Sequence, residues 1–184
     1  MTAHDQPGTA VTAVLGLGNV LMGDDALGPW VLAQLVARWT FPDDVRVQDL
    51  GTPGLDLLPF LAGCRSIVLV DVVRADDPPG TLKLYRKDEI LRHAPGPRVS
   101  PHDPGVKETL LALEFAGDAP AEVLLVGVVP DRIAAGTGLS ARVRAAAAAA
   151  ESAVIAELER LGHAGRRREP PGEPDLWWES GGDG

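Results

Sequence analysis

The stretch Ser66-Ile67-Val68-Leu69-Val70-Asp71-Val72-Val73 decides the fold. It is largely β-branched and lacks the in-out alternation of a strand with one wet face, so it reads as a strand buried on both faces of a mainly parallel sheet. A carboxylate is out of place there. Among Ile, Val and Leu, Asp71 needs a partner or a shifted pKa, and a metal, a basic group or several backbone donors could each provide it. The same eight residues therefore supply a central strand and the first candidate for chemistry.

On the amino-terminal side, Val11 to Leu17 is a short apolar run leading into Gly16-Leu17-Gly18-Asn19, a buried strand followed by a tight turn. Leu27, Trp30, Val31, Leu35 and Val36 then recur at helical spacing, with Pro29 tolerated in the first turn and Pro42 beyond the end. Val45 to Leu50 alternates imperfectly, as a strand nearer an edge does, and Gly51 to Gly54 turns the chain into a short helix, Leu55 to Leu61. On the carboxyl-terminal side, Thr81 to Tyr85 reads as an added strand that can run antiparallel. Asp88 to Pro104 carries Pro95, Pro97, Pro101 and Pro104 and reads mainly as loop, with room for one helical turn over Asp88 to Leu91. Helix is expected from Gly105 to Phe115 and strand from Glu122 to Val129. An Ala-rich helix follows, capped by Ser140 and running to about Leu161, with Val143, Ala147, Val154, Ile155, Leu158 and Leu161 as its packing face.

Alternating strand and helix predict helices on both faces of one sheet. A length of 184 residues fits a single domain, expected over 1–163, with the Gly- and Pro-rich 164–184 as a loose C-terminal tail. Within that tail Trp177 and Trp178 either pack back on the domain or form a short partner-docking segment. The 26 Asp plus Glu outnumber the 17 Lys plus Arg, and the net charge of -9 repels a phosphate backbone, which excludes general nucleic-acid binding. Arg166-Arg167-Arg168 reads as a solvated run. Cys64 is the one cysteine, so no intramolecular disulfide or four-cysteine zinc site can form, as suits a reducing compartment. The start of the chain lacks a secretory pattern, and no apolar run approaches the roughly 20 residues of a membrane span. The expectation is a cytoplasmic monomer without a membrane partner.

Sheets of this kind carry chemistry at the carboxyl ends of their strands. Asn19, Asp24 and Asp25 follow the first strand, Asp71 falls late in the third, His102 and Asp103 lie in the proline-bounded loop, and Asp131 follows the last strand. Any one of them alone is more often a turn former or helix cap. Asp25, Asp71 and His102 together give a mixed oxygen and nitrogen set suited to a divalent first-row metal with open positions. Other readings are weaker. Leu21 stands where the third glycine of a dinucleotide fingerprint belongs. Cys64 reads as an inert helix-end or core thiol, and no GxSxG elbow accompanies Ser100.

Taken together, the fragments resemble the hydrogenase maturation protease family, endopeptidases that trim the large subunit of nickel-iron hydrogenases. The resemblance runs through Leu15-Gly16-Leu17-Gly18-Asn19-Val20-Leu21-Met22-Gly23-Asp24-Asp25-Ala26-Leu27-Gly28 and Gly51-Thr52-Pro53-Gly54-Leu55-Asp56-Leu57-Leu58. It continues with Val68-Leu69-Val70-Asp71, Ser100-Pro101-His102-Asp103-Pro104-Gly105, Gly127-Val128-Val129-Pro130-Asp131 and Gly138-Leu139-Ser140. It implies a phosphorylase/hydrolase-like three-layer α/β/α fold with a mixed, mostly parallel five-stranded sheet. It also implies that Asp25, Asp71 and His102 are the metal-contacting and catalytic residues, with Asp24 or Asp25 as candidate proton acceptor. The metal is nickel carried by the substrate, a large-subunit precursor whose C-terminal extension is removed, and no organic cofactor is implied. Some members have Glu in place of Asp25, many have Glu in place of Asp131 and Ala in place of Val72, and residues 162–184 lie outside the resemblance. A noncatalytic nickel-sensing assembly chaperone and a stand-alone metallo-aminopeptidase are the alternatives.

Overall fold

The computed structural model describes residues 12–52, 57–92 and 105–179. In chain order the elements are β1 (Thr12–Gly16), a 3-10 turn (Gly23–Ala26), α1 (Leu27–Arg38), β2 (Trp39–Thr40), β3 (Val45–Asp49), α2 (Leu58–Leu61) and β4 (Ser66–Val72). They continue as β5 (Leu82–Arg86), α3 (Lys87–Arg92), α4 (Val106–Ala116), β6 (Glu122–Val128), α5 (Ala141–Arg160) and β7 (Arg166–Arg167). Five strands form one sheet in the order β3-β1-β4-β6-β5. The first four are parallel to one another and β5 runs antiparallel to β6. The architecture is thus three-layer α/β/α with a mixed, mostly parallel five-stranded sheet, and the expected edge and antiparallel strands are β3 and β5.

The layers follow from the strand period of two. In β4 the odd residues Ile67 and Leu69 join Ala13, Leu15 and Val123 in a core closed by Leu57, Leu61, Ile90, Leu110 and Leu113. The even residues Val68, Val70 and Val72 join Val14, Leu124, Val126 and Val128 against Leu27, Val31 and Leu35 of α1 and Val143, Val154 and Leu158 of α5. Every residue of β4 is buried, which explains why its sequence is apolar apart from Ser66 and Asp71. Ser140 caps α5 as expected, its side chain accepting from the Val143 N–H.

The tail expected to be loose is tied to α1 through Gly172 and to α5 through Glu179. β7 pairs antiparallel with β2, the Arg168 and Gly172 N–H groups donate to the carbonyls of Arg38 and Ala37, each at 2.8 Å, and Trp178 is only 6% exposed. The last carbonyls of a helix have no partner within it, and here the tail supplies one for each of those two. The Arg166–Arg168 run is exposed as expected, yet the Arg167 guanidinium also stacks 5.3 Å from the centre of the Trp39 ring. Among the described residues no helix is long and apolar enough to cross a membrane.

Candidate active site at the carboxyl rim of the sheet

Two glycines bring the beginning of α1 onto the ends of β1 and β4. A Cβ on Gly28 would stand 2.2 Å from the Leu17 carbonyl oxygen and 2.6 Å from that of Val70, so only hydrogen fits where the helix touches both strands. Gly18, at φ 134°, would place a Cβ 1.8 Å from the Asp25 carbonyl oxygen. The Gly18 N–H donates to the Gly51 carbonyl at 2.8 Å, which draws the segment after β3 to the same rim. Asp25 sits in the turn just before Gly28, and Asp71 follows Val70 directly. The contact of Gly28 with the Val70 carbonyl therefore places the two expected carboxylates on neighbouring segments of one rim.

Asp71 belongs to the odd face of β4, the side covered by α2 and α4, and is 8% exposed. Its Oδ1 accepts from the Val72 N–H at 2.7 Å. Asp25 is half-buried, and its Oδ2 accepts from the Asn19 N–H at 2.8 Å. Asn19 in turn shapes its own loop, with Oδ1 accepting from the Leu21 N–H at 2.9 Å. A carboxylate held at one oxygen by a backbone donor has its plane set before any ligand arrives, as a positive centre requires.

Asp24 has a different environment. It is 1% exposed, its Oδ2 accepts from the N–H groups of Asp131 and Arg132, each at 2.8 Å, and its Oδ1 accepts from the Ser140 N–H at 2.6 Å. The Asp24 N–H donates back to the Arg132 carbonyl, and Gly23 and Leu21 exchange bonds with Gly136. Asp24 thus fastens the β6–α5 loop to the turn that carries Asp25, which argues against the expected proton-acceptor role. Sequence reasoning named Asp131 and the Gly138-Leu139-Ser140 segment of this loop but not the part they play, because that contribution is made by backbone N–H groups whose residue types carry no signal. Asp131 is exposed and pairs with Arg142 at 3.2 Å.

His102 and Asp103 lie outside the described residues, as do Ser100, His93 and residues 53–56 of the Gly-Thr-Pro-Gly segment. Among the described residues no group of three His, Cys, Asp or Glu side chains could hold a metal ion, and the third expected ligand is not among them. Cys64 is 7% exposed. Burial pushes its thiol up, against the lowering effect of Arg46, with Asp118 raising it further. That environment suits an inert thiol.

The family model for hydrogenase maturation protease matches residues 29–157. The chain is 35% identical over 150 residues to hydrogenase 2 maturation protease of Escherichia coli strain K12, covering 81% of this chain and 91% of that one. It is 37% identical over 120 residues to hydrogenase expression/formation protein HoxM of Azotobacter vinelandii, covering 65% of this chain and 58% of that longer relative. In three dimensions it resembles the hydrogenase maturating endopeptidase HybD from E. coli, with a TM-score of 0.79 at 32% identity over 86% of this chain and 98% of that one. The [NiFe] hydrogenase maturation protease HybD from Thermococcus kodakarensis gives 0.60 at 27% identity over 82% and 97%. A sheet in this order, two carboxylates on its carboxyl rim and these likenesses lead to one conclusion: the chain belongs to the hydrogenase maturation protease family.

Proposed function

We propose that this protein is the endopeptidase that removes the C-terminal extension of a nickel-loaded nickel-iron hydrogenase large-subunit precursor, and that it reads the nickel through Asp25, Asp71 and His102. The observation that carries the reading is the fold shared with the E. coli maturating endopeptidase over 98% of that chain. The pair of carboxylates at the rim supports the site assignment. Asp71 comes from a rigid central strand, and Asp25 from a turn locked to β1, β4 and the β6–α5 loop. His102 precedes Gly105 by three residues, and α4 begins at Val106.

In this reading nickel arrives as part of the substrate. Three contacts from the enzyme leave positions for the precursor's own ligands, so the complete shell forms only in the complex. Closure of that shell fixes the adjacent peptide bond against the rim, which is catalysis by positioning. Hydrolysis then adds water across the amide, hydroxyl to the carbonyl carbon and a proton to the leaving nitrogen. Asp25 is the better proton acceptor of the two adjacent aspartates, because both oxygens of Asp24 already accept backbone N–H bonds.

The test is a cleavage assay on nickel-loaded and nickel-free precursor, read by intact mass, with unsubstituted enzyme and with His102→Ala and Asp71→Asn. Cleavage of the loaded precursor by the unsubstituted enzyme alone is expected. Equal cleavage in every combination would reject nickel reading, and an unchanged precursor mass throughout would favour a noncatalytic chaperone.

A further inference from the structure

Of the large apolar side chains exposed to water, Leu21 is carried on backbone tied to the loop beside the site, and Trp177 is two residues from a side chain that flanks the same loop. Leu21 is 54% exposed. Its backbone has no freedom to fold the side chain inward, because its N–H donates to Asn19 Oδ1 and its carbonyl accepts from the Gly136 N–H at 3.0 Å. Asn19, two residues before it, holds the Asp25 carboxylate through its own N–H. Trp177 is 63% exposed and meets buried Trp178 edge to face, with centroids 5.7 Å apart. Next to that anchor, Glu179 pairs with Arg144 at 2.8 Å. The Arg144 guanidinium lies 5.8 Å from the centre of the Trp30 ring, and the side chains of Arg144 and Glu179 both flank Gly138. Gly136 and Gly138 belong to the loop that Asp24 fixes, so Leu21 and Trp177 are presented by one scaffold.

We infer that Leu21 and Trp177 form an apolar docking surface for the polypeptide of the precursor beside its nickel centre. This rests on the proposed function: a substrate whose metal enters the Asp25–Asp71 rim must lay its surrounding chain on whatever borders Asp25. Exposed aromatic and aliphatic groups on pre-fixed backbone are the groups that anchor such contacts, since little backbone freedom remains to be lost.

The experiment measures KM and kcat on nickel-loaded precursor for Leu21→Ala, Trp177→Ala and the double variant. Phe115→Ala is the control, because Phe115 is 98% exposed at the end of α4 that leads into the start of β6, the opposite rim. Each single variant should raise KM about fivefold to tenfold and the double more than either, with kcat changed less than about twofold and melting unaltered. Leu21→Met and Trp177→Phe should recover most of the loss, and Phe115→Ala should leave KM unchanged. Both single variants within about twofold of the parent in KM would overturn the inference. So would an enzyme whose self-association, and not its KM, changes on substitution. Failure of the unsubstituted enzyme to cleave loaded precursor would sink the functional reading, and this inference with it; intact cleavage with unmoved KM sinks this inference alone.

Discussion

Replacing Asp24 with asparagine separates a structural carboxylate from a catalytic one. The aspartate accepts two N–H bonds at Oδ2 and one at Oδ1, while 1% exposed. In its better orientation the asparagine oxygen takes the place of Oδ2 and keeps the Asp131 and Arg132 donors. Its amide nitrogen then faces the Ser140 N–H across a gap that is now a 2.6 Å hydrogen bond. One charge-assisted bond goes, worth about 1.5–3 kcal/mol, and a donor is stranded at a further cost of about 1–3 kcal/mol. The total is about 2.5–6 kcal/mol. For a chain of this size that lowers the melting temperature by roughly 5–24 °C, measurable by circular dichroism alongside the urea midpoint. A proton acceptor behaves in the opposite way, since Asp24→Asn would then melt like the parent while kcat collapsed. Melting within about 2 °C of the parent with cleavage lost would refute the structural assignment.

Two further substitutions probe what holds the rim and the edge strand. Glu157 on α5 is 4% exposed; burial pushes its carboxyl up, but hydrogen bonds from Arg160 and Arg86 outweigh this and lower it from 4.5 to about 2. Because the folded-state value is depressed, the stability it confers is complete above about 4.5 and disappears as pH falls toward 2. Urea midpoints of the parent and Glu157→Gln should therefore differ at pH 7 and converge toward pH 2; a constant gap across that range would contradict the pairing. Gly28→Ala should cost more than about 3 kcal/mol or abolish soluble expression, because all the nearest atoms, down to 2.2 Å, are backbone and cannot swing aside. A variant melting within about 2 °C of the parent would show that α1 does not rest on β1 and β4 as described.

The sheet was legible because its signals are local. The largely apolar, β-branched Ser66–Val72, the Ser140 cap and the alanine-rich helix each depend on residues close in sequence, and each is found in the structure. What escaped depends on distant partners. The expected face of α5 omitted Glu151 and Glu157, yet both are buried. Glu151 meets Arg38 and the Trp39 indole N–H, and Glu157 meets Arg86 of β5 as well as Arg160. Arg160 lies only three residues beyond Glu157, but nothing within a few residues of either glutamate announces Arg38 or Arg86. The tail is a similar case: β2 and β7 span two residues each, too short for any periodicity, and the tail's N–H groups bond α1 carbonyls more than a hundred residues away in sequence. Asp25 was readable as a candidate from its place after β1 and Asp71 from its charge within an apolar strand, whereas the different surroundings of Asp24 and Asp25 were not.

That division follows from the 3-10 turn over Gly23–Ala26. At three residues per turn, successive side chains leave the axis about 120° apart, so two adjacent aspartates cannot face the same way. One enters the β6–α5 loop and accepts three backbone N–H bonds; its neighbour stays near the ends of β1 and β4, where its Oδ2 accepts from the Asn19 N–H. The buried carboxylate therefore sets the position of the accessible one. The turn is tied through Gly28 to β1 and β4, through Asn19 to the loop after β1, and through Asp24 to the loop after β6. A carboxylate braced from three segments can hold its place while a large, metal-bearing protein docks against it, without the reorganisation that a flexible loop would need at the moment of binding.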